Sequence, residues 1–159
     1  MADVIIDGYI KVWSVPTIAN LAAPTAAELN AGVAYEMNLT QDGLTGFAST
    51  TNWVDNAALG STFDTRLPGT VSFGDMALTF KWQSGSDSIF NTLVYGYQTN
   101  IVIRARVLRT TAWTATQLVE VYPVTCGQYT RAEYERNSLA RFTVPVGLNA
   151  EPQLRAVVA

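Results

Sequence analysis

The stretch GDMALTFKW, residues 74–82, decides the fold class. Met76, Leu78, Phe80 and Trp82 fall on one side of an extended chain, and Asp75, Ala77, Thr79 and Lys81 fall on the other. Strand side chains alternate between faces, so this pattern predicts a strand with one face in a core and one in water. A helix would scatter the same apolar residues around its circumference. NIVIRARV, residues 100–107, repeats the rule, with Ile101, Ile103, Ala105 and Val107 opposed to Arg104 and Arg106. QLVEVYPVTCGQY (117–129), SLARFTVP (138–145) and PQLRAVVA (152–159) read the same way. Pro123 marks an edge or a bulge, because it brings no N–H to a ladder. The expected class is mainly β: a sandwich or barrel with one helix packed on it.

Two short helices interrupt the β pattern. In SDSIFNTLVYG, residues 86–96, Ser86 or Asp87 caps a helix whose Ile89, Phe90, Leu93 and Val94 form one apolar stripe. Gly96 ends it after about two or three turns. In PTAAELNAG, residues 24–32, Thr25 precedes Glu28 at the capping-box spacing and Gly32 supplies the stop. A helix that short has no stability alone, so it must dock on the sheet.

Between Thr40 and Gly69 the alternation dissolves. TQDGLTGFASTTNWVDNAALGSTFDTRLPG holds four glycines and scattered large apolar residues, among them Leu44, Phe47, Trp53, Leu59 and Phe63. Such a stretch is rare inside a compact domain unless it serves as an arm, a lid or a binding loop. The reading is a long hairpin-like arm projecting from the sandwich. Trp53 and Phe63 either pack as a satellite of the core or contact another molecule.

Composition narrows the function. The 159 residues are 48% hydrophobic, enough for one domain with a real core and no need of metals or disulfides. There is no histidine, the commonest general base and metal ligand. Neither a glycine-rich phosphate loop nor G-x-S-x-G occurs. The closest carboxylate pair, Glu133 and Glu135, is interleaved with Arg131 and Arg136 and reads as a solvated turn. The lone Cys126 reads as a small buried hydrophobe. Trp13 and Trp82 read as core residues in preference to a carbohydrate platform. Asp3 and Asp7 stand where a signal peptide carries positive charge, so folding in a cytoplasm is expected and the N-L-T triplet at Asn38 carries no weight. No apolar run reaches the length of a membrane span. The net charge of −3 argues against a protein that grips nucleic acid through its phosphates. No enzymatic activity, cofactor or metal is expected.

VWSVPTIANLAAPTAAELNAG, residues 12–32, resembles the N-terminal region of major tail tube proteins of actinobacterial siphophages. There a V-P-x-I-A-N segment runs into a short A-A-P-T-x-A-E-L-N-A-G helix. The later order of a strand, FNTLVYG as a helix and NIVIRARV is similar to a helix-to-strand step of that family. The resemblance implies a tail-tube fold over residues 1–159, a β-sandwich/barrel of two packed sheets flanked by a helix, with residues 1–14 as an N-terminal arm and residues 40–69 as an extended inter-ring loop. It also implies a structural virion protein, assembled in the bacterial host cytoplasm, whose hexameric rings stack into a tube. The genome passes through that tube without specific binding. The implied partners are other copies of the chain, a tape measure protein inside, and tail terminator and distal tail proteins at the ends. Four strands from each of six subunits make about 24; at ~4.8 Å spacing and ~40° tilt they enclose a barrel about 48 Å across. After side chains, roughly 38 Å remains, wider than a duplex of ~20 Å.

On this reading Leu44, Phe47, Trp53, Leu59 and Phe63 make inter-ring contacts, and Asp75, Thr79 and Lys81 line the lumen. Lys81 and Arg104 are equally readable as outer-surface charges. Residues 1–90 hold nine acids and three bases, net −6, and residues 91–159 hold four acids and seven bases, net +3. An arm from the acidic part is thus suited to the basic part of a neighbour. The rival readings are a capsid decoration or other virion β-sandwich, and a carbohydrate-binding module, which would need a clustered aromatic face.

Overall fold

The computed structural model describes residues 3–159. In chain order the elements are β1 (Lys11–Val15), α1 (Ala26–Asn30), β2 (Val33–Ala34), β3 (Leu39–Thr45), β4 (Ser49–Asp55), β5 (Arg66–Phe73), β6 (Met76–Lys81), α2 (Ser88–Thr92), β7 (Gln98–Arg104), β8 (Leu118–Cys126), β9 (Thr130–Arg131), β10 (Arg141–Leu148) and β11 (Gln153–Val157). One antiparallel sheet runs β2-β1-β7-β8-β10-β6-β3, with β11 added on β8 and β9 on β10. β4 and β5 form a separate two-stranded sheet.

The large sheet divides at β8. One edge of β8 pairs with β7 from Glu120 to Thr125. The other pairs with β11 up to Val121 and with β10 from Val124 onward. Pro123 stands between those two partners, where no ladder asks for its N–H and its carbonyl accepts from Asn149 N at 3.1 Å. The sheet curls so that Val12, Ile101, Ile103, Tyr122 and Val124 of β1, β7 and β8 share one apolar interior with Leu39, Leu78, Phe80, Phe142 and Val144 of β3, β6 and β10. This is the expected sandwich, and it stops short of a closed barrel because β2 and β3 end the order unpaired to each other. Ile89 of α2 and Leu93 enter the same interior, while Phe90 packs on Trp82, Tyr129 and Phe142.

The opposite face of β1, β7 and β8 is buried as well. Val15, Val102, Val119 and Val121 meet Leu29 of α1, Trp113, Ala156 and Val158 in a second core. The docked helix α1 has the expected capping box: Glu28 N donates to Thr25 Oγ1 at 3.3 Å, and Thr25 N donates to the Glu28 carboxylate at 2.8 Å.

Three expectations change. α2 spans only Ser88–Thr92, capped by Asp87, whose Oδ1 accepts from Phe90 N at 3.1 Å. Leu93 leaves helical space with ψ 62, so Val94 falls off the stripe and is exposed. The strand of residues 100–107 stops at Arg104; Ala105 and Val107 belong to a turn in which Arg106 has φ 74. Arg104 is no surface charge, because the second core covers the face it occupies and leaves it fully buried. Residues 40–69, where alternation fails, are ordered as most of β3, all of β4 and the start of β5.

Candidate functional site

β4 and β5 build an arm that stands off the body. Its ladder runs from the pair Ser49 and Phe73 to the pair Asp55 and Arg66. Asn52 Nδ2 donates to Thr70 Oγ1 at 3.0 Å, and Arg66 and Asp55 form an exposed ion pair at 3.3 Å near the tip. The link over residues 56–65 is tied by Thr65 Oγ1 donating to Asn56 O at 2.8 Å. Apart from half-buried Thr51 and Phe73, every residue of β4 and β5 is exposed. A two-stranded hairpin is marginal in water, and the body lends this one little burial beyond Phe73 and Thr51.

The five apolar residues that the sequence assigns to the arm divide into two groups. Trp53 and Phe63 are 59% and 73% exposed, and Leu59 is fully exposed. Leu44 and Phe47 pack instead against the body's own core. Val54, Leu67 and Val71 are further exposed apolar residues of the arm that sequence reasoning passed over. Val54 adjoins Trp53 and Leu67 adjoins Pro68, so strict alternation marks neither of them.

The second candidate surface is the outward face of β6 and β10. Thr79 and Lys81 point away from the core, with Thr143 opposite Thr79 and Arg141 opposite Lys81. The Thr79 and Thr143 hydroxyls are 3.0 Å apart, and Thr130 of β9 extends the row. Lys81 Nζ donates to Met37 O at 3.3 Å. Asp75 lies just before β6, exposed. Arg141 and Thr143 were open to the sequence reading, since SLARFTVP places them opposite Phe142 and Val144; their pairing with β6 needs the sheet.

Two other cations are already committed. Arg104 donates from Nη1 to Ala112 O at 3.2 Å and Gln117 Oε1 at 2.8 Å, and from Nη2 to Leu108 O at 2.8 Å and Thr111 O at 3.0 Å. Its guanidinium lies 4.8 Å from the Trp113 ring. Lys11 Nζ donates to Thr111 O at 3.1 Å and sits 4.5 Å from the same ring. Burial lowers the pKa of both cations from their ordinary values. Buried against their own loop, they present no exposed charge to a phosphate. Burial also pushes the Cys126 thiol up to about 11. Among the described residues no three His, Cys, Asp or Glu gather as a metal site.

A family model described as phage tail tube protein matches residues 1–159. The chain belongs to the phage tail tube protein family. Two cryo-EM structures illustrate the likeness of fold. A chain of the anti-feeding prophage baseplate, 6-fold symmetrised, is similar at a TM-score of 0.62 and 11% identity, over 98% of this chain and 98% of that one. A chain of the anti-feeding prophage tube-terminating cap is similar at 0.60 and 12% identity, over 97% and 93%. Identities this low speak for the fold alone. A search of curated proteins finds no match. As a member of a tail tube family, the protein is a structural component of a phage tail and not an enzyme.

Proposed function

We propose that six copies close into a ring and that rings stack through the arm into the tube that conducts the genome during ejection. The observation that carries this reading is the arm itself, with Trp53, Leu59 and Phe63 held in water on a tail tube chain. Exposed apolar side chains gathered on one projecting hairpin cost solubility unless a partner covers them. Ring closure gives the end strands β2 and β3 neighbours and removes edges that invite aggregation. A 6-fold symmetrised assembly containing a chain of the same fold supports the ring number.

The outward face of β9, β10, β6 and β3 is assigned to the lumen, with Thr79, Lys81 and Thr143 on it and Asp75 at its margin. The physical reason is coverage: the other half of the sheet has its outer face buried under α1 and Trp113, whereas this half is exposed or half-exposed and presents Thr79, Lys81, Arg141 and Thr143 beside Ala77 and Pro145. Four strands from each of six copies give about 24 and a barrel of about 48 Å, wide enough for transit and too loose for a grip. Conduction is passive. A tape measure protein occupies the tube before DNA does, and terminator and distal tail proteins close its ends, as in a siphophage virion assembled in the host cytoplasm.

The test replaces residues 50–72 with a short Gly-Ser turn, keeping Phe47 and Phe73. The expected product is a folded β protein that forms no tubes by negative-stain microscopy. Tubes of normal length and spacing would move the stacking role to residues 1–14 or the C-terminal segment. A subunit that stays monomeric at every concentration, with no ring in any particle, would overturn the ring itself.

A further inference from the structure

We infer that Tyr122 is the positioning residue that fixes the direction in which the arm leaves the body. The inference rests on the stacking role proposed above, because direction matters only if the arm has a target.

The arm is joined to the body on both sides through glycine. Gly46 has φ 76, and a Cβ there would overlap the Asp75 carbonyl, so the two links pass in direct contact. Gly74 has open space around it. Gly74 leaves one link free to turn, and β4 and β5 have almost no buried side chain to fix its direction. The choice falls to the two aromatic residues at the root. Phe47 and Phe73 both meet Tyr122 edge-on, with ring centroids at 5.0 and 6.0 Å and interplanar angles of 86° and 89°. Tyr122 sits fully buried in the middle of β8, the strand around which the body is organised. Its hydroxyl donates its one proton to Glu120 Oε2 at 2.8 Å, which holds the ring at its tip, with Phe47 O 3.3 Å from the same oxygen.

What Tyr122 aims is an apolar stripe. Val71 pairs with Thr51, and Pro68 pairs with Trp53, on the same side of the hairpin as Phe73. Gly69 and Thr70 together oppose Asn52, and this bulge keeps Pro68 on the stripe. The apolar surface thus runs from Tyr122 through Phe73 to Val71, Pro68 and Trp53. A strand the length of β4 spans roughly 23 Å, so a swing of about 20° at the root moves the tip by about 8 Å, more than the width of a side chain.

The experiment measures the arm's direction in the isolated subunit, below assembly concentration. Spin labels go on cysteines at Ala58 and Glu151 in a Cys126→Ala background, and the distance distribution between them is read. The parent should give one narrow distribution, Tyr122→Phe should keep it because both ring contacts survive, and Tyr122→Leu should broaden it. Phe47→Ala, at the half-buried rim, should broaden it too and guards against a Tyr122 variant that fails to fold. Leu29→Ala, in the second core, should lower Tm and leave the distribution unchanged. An unchanged distribution in Tyr122→Leu and Phe47→Ala, or equal broadening in Leu29→Ala, overturns the inference. A broad distribution together with normal tubes would keep Tyr122 as the anchor and remove the stacking role. A narrow one with failed assembly would do the reverse.

Discussion

Replacing Arg104 with Met should cost about 4 kcal/mol of stability, and the figure follows from where its bonds go. Met fills much of the space but withdraws all four donated bonds to Ala112, Gln117, Leu108 and Thr111. Bonds to a charged group contribute about 1.5–3 kcal/mol each, which sets an upper bound near 6–12 kcal/mol. Three acceptors keep another donor: Leu108 O has Thr111 N, Thr111 O has Lys11 Nζ, and Ala112 O has Gln117 Nε2. Only Gln117 Oε1 is left without a donor, so about 1 kcal/mol per bond is the better scale. The loop also holds Arg106 at φ 74 and Thr116 at φ 72, a left-handed pair that these bonds keep in place. For a domain of this size, about 4 kcal/mol corresponds to a Tm lowered by roughly 8–16 °C. Thermal unfolding of the unassembled subunit measures it, and amide exchange should show protection lost first over residues 105–117. A Tm within about 2 °C of the parent, with the loop still protected, would refute the claim that Arg104 organises this loop.

Three further outcomes are expected. The backbone N–H of Ala19, then that of Thr25, holds the Glu28 carboxylate below its ordinary pKa. Its stabilisation is therefore complete above the unfolded value and is lost as pH falls through the folded one, so Glu28→Gln should flatten the loss of Tm below about pH 4; identical acid limbs would count against it. Cys126, buried with its thiol raised to about 11, should react with a thiol reagent at neutral pH only as fast as the fold opens, and labelling at the rate of a free thiol would contradict its burial. Asp75→Lys should leave tubes intact and slow DNA ejection, more so at low salt, whereas ejection indifferent to charge and salt would show that this position does not face the DNA.

The features that the sequence determined by itself are those whose cause is local. Alternation at Met76, Leu78 and Phe80 made β6 legible, because β6 has a core on one side and water on the other. Thr25 and Glu28 announced α1, since a capping box is closed by residues three apart. The tail tube resemblance lay in one continuous run, residues 12–32, and the family match over residues 1–159 agrees with it.

Tertiary structure decided whatever depends on what covers a face. Arg104 falls on the polar side of its strand by alternation, yet α1, Trp113 and the C-terminal strand bury that side, and the loop carbonyls around it cannot be read from NIVIRARV. β4 has no period because neither of its faces is buried, so nothing in the body selects where apolar residues stand. Leu44 and Phe47 look no different in the sequence from Trp53 and Phe63. Only the fold separates them, because the surfaces that claim Leu44 and Phe47 are β6 and Tyr122, and Tyr122 lies 75 residues from Phe47 along the chain.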